Sequence, residues 1–278
     1  MKKETVLYAL AIILVTSLDV FATDKSENSI ANEKMLLLTK DGIEIGLQSY
    51  WYKYEEEVNG AFFMSNTGNK YGVSIAGTKS IGDNYYFIGN IRYATGDVEY
   101  KSASGTGDVS DNVGEGRLIV GNEVMVNNYL LSSYIGVGYR RLDNDLRDLG
   151  SGGYRRTSQY WYIPIGITHR FIVNDFSRVS TSIEYNYLAK GEQKSYLSDV
   201  GPAYARVFGD PVNKQKKGYG LHLNTAYEMK HWSLGTFLNY WKIGDSEINY
   251  YVDGATMYGV YEPKNVTTEF GIQVKYRF

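Results

Sequence analysis

Apolar and polar residues alternate with a period of two through most of this chain. In the segment 269–278, EFGIQVKYRF, every second residue is apolar, and the residues between them are glycine, polar or charged. This period predicts a β-strand that presents one parity on each face. The pattern alone leaves open whether the apolar face meets a protein core or a lipid.

Ten alternating runs of this kind follow one another along the chain. They are 42–55, 69–80, 85–101, 114–126, 129–143, 154–173, 176–192, 217–229, 232–244 and 266–278. Most are longer than the roughly five or six residues usual in soluble strands. They have the length of a tilted membrane strand, which needs about 9–11 residues.

The connections between these runs alternate between short and long. Tight turns rich in Asn, Asp and Gly, as hairpins require, are predicted at Gly82-Asp83-Asn84, Asn127-Asn128, Asn174-Asp175 and Lys230-His231. The longer links are 56–68, 102–113, 144–153, 193–216 and 245–265. The sequence therefore predicts an all-β fold, a closed up-and-down antiparallel transmembrane β-barrel of about ten strands, with short periplasmic turns and longer extracellular loops.

The sixth run contains Pro164, which cannot donate a ladder hydrogen bond. We expect a bulge or a local bend at this proline. If the run forms two shorter strands instead of one, the strand count changes.

The two faces of the predicted strands differ in composition. In 232–241, WSLGTFLNYW, one parity is mostly aliphatic with Trp and Tyr at its ends, and the other begins Ser, Gly. The first parity is typical of a lipid-facing band with aromatic girdles. The second parity, which is small, polar or charged in most runs, suits a narrow wet lumen.

Polar side chains on the inner parity form the candidate functional set. They are Glu44, Arg92, Arg117, Glu123, Arg140, Arg170, Arg178, Glu184, His222, Glu228, Glu269, Lys275 and Arg277. A barrel of ten strands is only a little wider than one of eight, whose interior side chains just fill the space. We therefore predict a structural network in which opposite charges pair across the lumen. The alternative is a lining that admits a small solute, for which the mixed signs argue against strong ion selectivity.

Composition excludes some other classes of protein. The chain has 27 Tyr, 30 Gly and 4 Pro, which favours strands and turns, and its formal charge of −2 gives no basic field for nucleic acid. Without cysteine, disulfides and thiol catalysis are excluded. No cofactor or metal is predicted, because the acidic segment 143–148 lacks the glycine and the terminal glutamate of a calcium-binding loop.

The N-terminal segment has the features of a secretory signal peptide. Lys2 and Lys3 precede an apolar run of about a dozen residues, and Val20 and Ala22 form a small-residue cleavage pair. An uncleaved membrane anchor is the alternative, but a helix needs about 20 residues to span a bilayer. The predicted organisation is a signal peptide at 1–22, a polar periplasmic leader at 23–40 and a barrel at 41–278.

With these features the chain resembles Gram-negative outer-membrane β-barrels, and among them the small opacity- and porin-like barrels. The closing residues Tyr276-Arg277-Phe278, with Phe270 in the same strand, are similar to the C-terminal signal that the outer-membrane assembly machinery recognises in that class. The resemblance implies location in the bacterial cell outer membrane. It also implies contact with outer-membrane lipids, lipopolysaccharide and that machinery.

Three functions are consistent with such a barrel. We expect a non-enzymatic surface protein whose loops contact an unknown extracellular ligand or shape the envelope. The alternative is a narrow passive porin for small solutes. The third is an enzyme, since the omptin proteases also have ten strands, but none of the three histidines lies at the loop end two residues from an aspartate, and no His–Ser pair of the kind that outer-membrane lipases require is found.

Overall fold

The computed structural model of the protein describes residues 37–103, 105–126 and 129–278. The predicted signal peptide, residues 23–36 of the predicted leader and the predicted turn at Asn127-Asn128 lie outside the described residues.

The described chain is built almost entirely of strands. They are β1 Gly42–Val58, β2 Ala61–Ile81, β3 Tyr85–Ser102, β4 Gly105–Val126, β5 Tyr129–Asp145, β6 Arg155–Asn174, β7 Ser177–Ser195, β8 Val212–Gln215, β9 Gly218–Glu228, β10 Trp232–Ile243, β11 Asn249–Asp253, β12 Thr256–Val260 and β13 Lys264–Arg277. The helices are α1 Pro202–Phe208 and two 3₁₀ turns, Leu146–Leu149 and Leu197–Asp199. Within the described residues, no helix combines the length and the apolar character needed to cross a membrane.

Ten of these strands close into a barrel. Each long strand pairs antiparallel with its neighbour in the order β1, β2, β3, β4, β5, β6, β7, β9, β10, β13, and β13 pairs back to β1. β8 pairs with the loop end of β7, and β11 and β12 form a separate hairpin. The predicted all-β, up-and-down barrel of about ten strands is confirmed.

The exterior of the barrel carries a broad apolar belt. Ile43, Val73, Ile91, Val137 and Leu234 are each exposed over half or more of their surface. Aromatic side chains such as Tyr85, Trp161 and Trp232 flank this belt. Because the sheet is closed, it has no unpaired backbone edge exposed to lipid. The apolar belt with its aromatic borders is the lipid-facing surface of an outer-membrane barrel. The predicted location in the outer membrane is therefore confirmed.

Two of the predicted loops are wrong. The segment 56–68 is a tight hairpin between β1 and β2, in which Asn59 and Gly60 have φ of 52° and 80°, as a type I′ turn requires. Most of the segment 102–113 belongs to β4, which begins at Gly105. The strands of both hairpins thus continue beyond the belt toward the loop end.

The sequence missed these extensions because the apolar parity changes sides along each strand. Within the belt of β4, Leu118 faces outward and Arg117 faces inward. Nearer the loop end, Val109 and Val113 are buried inside the barrel, while the alternate positions between and beside them face outward and are polar. A run with one fixed apolar parity therefore ends where the strand leaves the lipid.

The interior of the extended part is closed by a hydrophobic core that also contains buried polar and charged side chains, and it is not a wet lumen. Its buried members include Tyr52, Tyr54, Met64, Ala94, Val98, Val109, Val113, Leu142, Tyr160, Tyr162 and Trp241. Tyr162 meets Trp241 edge-on with ring centroids 5.0 Å apart. In the membrane zone the interior is small and polar as predicted, whereas in the zone beyond it large apolar side chains, which the sequence did not predict, fill much of the interior.

β6 stays a single strand through Pro164. Pro164 pairs with Asn186 on β7, while the register shifts nearby, between Trp161 and Tyr162. On the other side, pairing with β5 is interrupted between Ile165 and Tyr162. The expected irregularity thus occurs at Pro164 on the β5 side, where Ile163 and Pro164 have no pairing partner, and two to three residues away on the β7 side, and the strand count is unaffected.

Glycines inside the barrel give space to tyrosine rings, which leads to a test. A Cβ on Gly138 would come within 2.2 Å of the Tyr162 ring, whereas a Cβ on the outward-facing Gly77 would meet no atom within 4 Å. We predict that Gly138→Val lowers the free energy of unfolding by about 1–3 kcal/mol through overpacking. Gly77→Val, the matched control, should leave it within about 0.5 kcal/mol. Urea unfolding in detergent micelles measures both, and equal effects would contradict the packing described.

Candidate functional site

A buried carboxylate of β13 at the middle of the barrel joins this strand to three others, β3, β5 and β10. Glu269 of β13 accepts hydrogen bonds from Arg140 Nη2 at 2.6 Å, Arg92 Nη2 at 2.9 Å and Asn239 Nδ2 at 2.7 Å. Glu269 is fully buried and Arg140 almost so. One negative charge thus lies between two guanidinium groups that come from the opposite wall of the barrel.

Glu115 of β4 completes this layer. It accepts from Arg92 Nε at 2.6 Å and from the hydroxyl of Tyr162. The guanidinium of Arg140 lies 5.7 Å from the centroid of the Trp241 ring, within cation–π range. The layer of two arginines and two glutamates is charge-balanced and borders the hydrophobic core. We name Arg92, Glu115, Arg140 and Glu269 the central ion layer.

A second cluster lies nearer the short-turn end. Arg117 Nη1 donates to Oε1 and Oε2 of Glu184 at 2.9 and 3.0 Å, and the Tyr134 hydroxyl donates to Oε2 at 2.9 Å. His222 Nδ1 lies 3.8 Å from Glu184 Oε1. The Glu184 carboxylate is already bound by an arginine and a tyrosine. His222 therefore lies beside a carboxylate whose oxygens are engaged in other hydrogen bonds.

The remaining predicted residues gather at the short-turn mouth. Arg178 pairs with Glu228 at 2.5 Å, and Arg170 pairs with Glu123 at 2.9 Å. Glu44 pairs with both cations of β13, Lys275 at 3.1 Å and Arg277 at 3.0 Å. The structure thus places all thirteen predicted residues inside the barrel, in three separate groups.

Residues 37–40, which we assigned to the periplasmic leader, occupy this mouth. Leu37 is fully buried. Arg178 Nη1 donates to the carbonyl oxygens of Leu37 and Leu38 at 2.8 and 2.7 Å, and the backbone N–H of Thr39 donates to Glu123. Arg277 Nη1 donates to the carbonyl oxygen of Lys40 at 2.5 Å. The charged groups of the mouth therefore hold this short segment in place.

Between the central ion layer and the mouth lies a polar cavity of about 170 Å³. Its walls include Arg117, Glu184, His222, Asn224 and Gln273. A larger concavity, of about 550 Å³, lies on the lipid-facing surface among Val73, Ile91, Leu118, Val137 and Trp161 and belongs to the apolar belt. The interior space is thus the smaller of the two.

Sequence reasoning missed two ionic groups because both involve segments taken for loops. Lys70 Nζ lies 2.5 Å from Asp111 Oδ1, with both side chains buried and the Tyr52 ring beneath the ammonium at 3.6 Å. Arg156 pairs with Glu56 and, at 2.6 Å, with Glu262. Both groups lie in the extended part of the barrel. Inward parity would have identified Asp111 and Glu56 if the strands had been continued, whereas Glu262 lies between β12 and β13 and has no strand parity.

The other histidines and the acidic segment serve structural contacts. His169 packs between Tyr129 and Phe171, and His231 Nδ1 lies 2.9 Å from the carbonyl oxygen of Arg277. In the segment 143–148, Asp143 and Asp145 pair with arginines. Across the described part of the chain, no group of three or more His, Asp or Glu side chains is arranged to hold a metal ion.

Comparison with known proteins gives structural matches alone. No family model and no curated protein matches the chain. The outer membrane protease OmpT from Escherichia coli matches with a TM-score of 0.49 and 12% identity, covering 86% of this chain and 97% of OmpT. An outer membrane channel from Pseudomonas putida F1 matches at 0.45 and 12%, with coverage of 92% and 100%. OprG from Pseudomonas aeruginosa matches at 0.35 and 10%, with coverage of 86% and 97%. These structures assign no activity to this chain.

Removing the charge at the centre of the ion layer should be costly. In Glu269→Gln the guanidinium groups of Arg92 and Arg140 lose a shared, fully buried partner. We predict a loss of about 3–5 kcal/mol in the free energy of unfolding, as for a broken buried pair. Glu55→Gln, which opens the exposed pair with Lys53, should cost less than about 1 kcal/mol. Unfolding in urea measures both, and a cost for Glu269→Gln no larger than the control would contradict the assignment.

The Glu262 carboxyl gives a prediction about pH. Burial raises its pKa well above the ordinary value near 4.5; Arg156 opposes this rise and the Glu56 carboxylate adds to it. Stability from this group is therefore fully present below the ordinary pKa and is lost as pH rises through the raised value. We expect Glu262→Gln to gain stability relative to the wild type as pH rises from acidic to neutral.

Glu247→Gln is the control for this pH dependence. Its hydrogen bond with Lys216 lowers the pKa of Glu247, so this variant should lose stability relative to the wild type over the same rise in pH. Unfolding midpoints in urea at a series of pH values test the two signs. The same sign for both variants would show that the buried carboxyl is not the cause.

Proposed function

We propose that this protein is a non-enzymatic, non-conducting outer-membrane barrel that acts through the surface at its loop end. The observation that carries the proposal is the hydrophobic core that fills the extended part of the barrel. An ion or a polar solute on a path along the barrel axis would have to displace buried tyrosines, valines and leucines that pack as in a protein interior. A porin needs a continuous wet path instead.

Two further barriers lie between this core and the short-turn end of the barrel. The central ion layer crosses the barrel with its four charges paired to one another. At the short-turn mouth, residues 37–40 are held by Arg178, Arg277 and Glu123. The polar cavity of about 170 Å³ lies between these barriers, so it is a pocket for water and not a segment of a pore.

The enzyme alternative finds little support in the interior. His222 is the histidine that lines the cavity, and its neighbouring carboxylate, Glu184, is bound by Arg117 and Tyr134. A general base needs an oriented partner and access to a substrate. Here the carboxylate that would orient His222 is committed to a salt bridge, and the cavity is too small for an envelope polymer.

The loop end instead presents a folded surface of aromatic and other apolar side chains. Phe208 of α1 packs edge-on against Tyr251 and Tyr258 of the β11–β12 hairpin, with ring centroids 5.6 and 5.5 Å apart. Around this contact Tyr250 and Met257 remain largely exposed. Aromatic and methionine side chains are enriched at binding surfaces, and exposed apolar groups on a folded loop mark contact sites. We assign the unknown extracellular ligand to this surface.

Electrical recording distinguishes this proposal from the porin. In planar bilayers the wild-type barrel should show no steady conductance. A deletion of residues 23–40 should stay silent as well, because the hydrophobic core remains above the emptied mouth. Flotation of proteoliposomes and the resistance of the folded barrel to unfolding on gels establish that each variant is inserted and folded.

The opposite outcome is equally specific. Discrete current steps of the wild-type protein that change in size with Arg117→Gln or Arg140→Gln would mean that ions pass these side chains, and the proposal would fail in favour of a narrow porin.

A further inference from the structure

Six lysines gather on the outer face of the barrel toward the loop end. Lys190 and Lys194 lie on β7, Lys214 on β8, Lys216 and Lys217 between β8 and β9, and Lys242 on β10. On β7 and β8, Glu192 stands opposite Lys214 and Lys194 opposite Val212, while Gln193 and Asn213 point inward and are buried. We name these six residues the lysine patch.

The patch begins where the apolar belt ends. On β7 the outward positions Val179, Ile183 and Tyr187 span nine residues, close to the length of about 9–11 residues that crosses the hydrocarbon. Lys242 and Tyr187 both stand opposite Tyr219, in one row across the three strands. Tyrosine marks the level where hydrocarbon meets the headgroups, so the lysines lie at headgroup level and beyond.

Three lysines of the patch have no acidic partner. Lys190 pairs with Glu192, Lys194 with Asp210 and Lys216 with Glu247. For Lys214, Lys217 and Lys242, no carboxylate of the described residues lies within 4.0 Å, and all three are exposed. Together, the six lysines and the three carboxylates that pair with them carry a net charge of +3.

The opposite side of the barrel has the reverse charge at the same level. The outward positions of β1, β3 and β4 beyond the belt carry two lysines, Lys53 and Lys101, against a larger number of acids. Those acids are Glu55, Glu57, Asp97, Glu99 and Asp108. At the outward positions of β1, β3 and β4 the acids thus outnumber the lysines, whereas in the lysine patch the lysines outnumber their acidic partners.

We propose that the lysine patch binds the phosphate of an anionic lipid in the leaflet that borders the loop end. The position at the edge of the belt makes the patch continuous with the lipid-facing surface, and its charge complements a phosphate headgroup. Lysine binds phosphate as a point charge and can extend its ammonium to the headgroup while its stem stays on apolar surface. The acyl chains then lie along Leu221, Leu223 and Leu238 below the tyrosine row.

The proposal is tested on the full mature chain in zwitterionic detergent micelles. The probe is a fluorescent phosphatidic acid, with phosphatidylcholine carrying the same fluorophore as the uncharged reference, and anisotropy reports binding. The variant is the triple substitution Lys214→Gln, Lys217→Gln and Lys242→Gln. Because one lysine near an anionic surface contributes roughly a fivefold effect on binding, the triple variant should bind phosphatidic acid about 100-fold more weakly. Binding of phosphatidylcholine should not change.

A matched triple variant controls for net charge. Lys53→Gln and Lys101→Gln at the loop end, with Lys79→Gln at the short-turn end, remove the same number of charges from the β1–β3 side and should leave the affinity for phosphatidic acid within about twofold of the wild type. Equal losses in the two triple variants would overturn the proposal, since they would show attraction to net charge alone.

Two other results would also overturn it. One is an unchanged affinity for phosphatidic acid in the Lys214, Lys217 and Lys242 variant. The other is full displacement of the lipid by inorganic phosphate at matched concentration, which would identify a site for a free anion. Unfolding midpoints of all variants, which these exposed positions should leave unaltered, separate loss of binding from loss of fold.

Discussion

Hydrocarbon cannot hydrogen-bond a peptide group, and this constraint determines the rest of the molecule. Every backbone N–H and C=O in the membrane zone must be paired within the sheet, so β13 returns to β1 and no edge is left. Closure in turn divides each strand into an outer and an inner face for its whole length. Side chains on the outer face meet lipid, and those on the inner face must pack with one another in a narrow cylinder.

The fold could be predicted from the sequence wherever the outer face meets lipid. In β9 and β10, whose strands end near the edge of the belt, the predicted runs 217–229 and 232–244 match the observed strands within a residue at each end. In β1, β2 and β4 the prediction stopped short, because beyond the lipid the outer face is polar and the inner face apolar. Val98 and Val109 therefore have the parity that lumen residues have in the membrane zone. A pattern search for one constant apolar parity loses the signal at that change, and only in β3 did the predicted run 85–101 continue through it.

The candidate site could be predicted as a set of residues and not as an arrangement. Inward parity identifies Glu269 and Arg140 separately, but they are 129 positions apart and belong to strands that are not neighbours in the sheet. Which pairs form depends on the stagger of the strands and on side-chain length across the barrel. The contacts of Arg178 with the carbonyl oxygens of Leu37 and Leu38 left no signal in the sequence, because backbone acceptors are present at every position.

Because each strand has an outer and an inner face, the solvent on the outer face also influences where the interior becomes more apolar. In the membrane zone the outer face is apolar, so an apolar inner face as well would make each strand a continuous hydrophobic run, prone to aggregate or to insert as a helix. Charges inside avoid this, and a buried ion pair also specifies register, since a slip of one residue would put Arg117 or Glu184 into lipid. Beyond the lipid the outer face is polar, and Val109, Val113 and Leu142 can fill the interior at no such risk. The central ion layer and the Arg117–Glu184 cluster therefore lie where the bilayer surrounds the barrel, and the apolar side chains are concentrated where water does, beside the buried pairs of Lys70 with Asp111 and of Arg156 with Glu56 and Glu262.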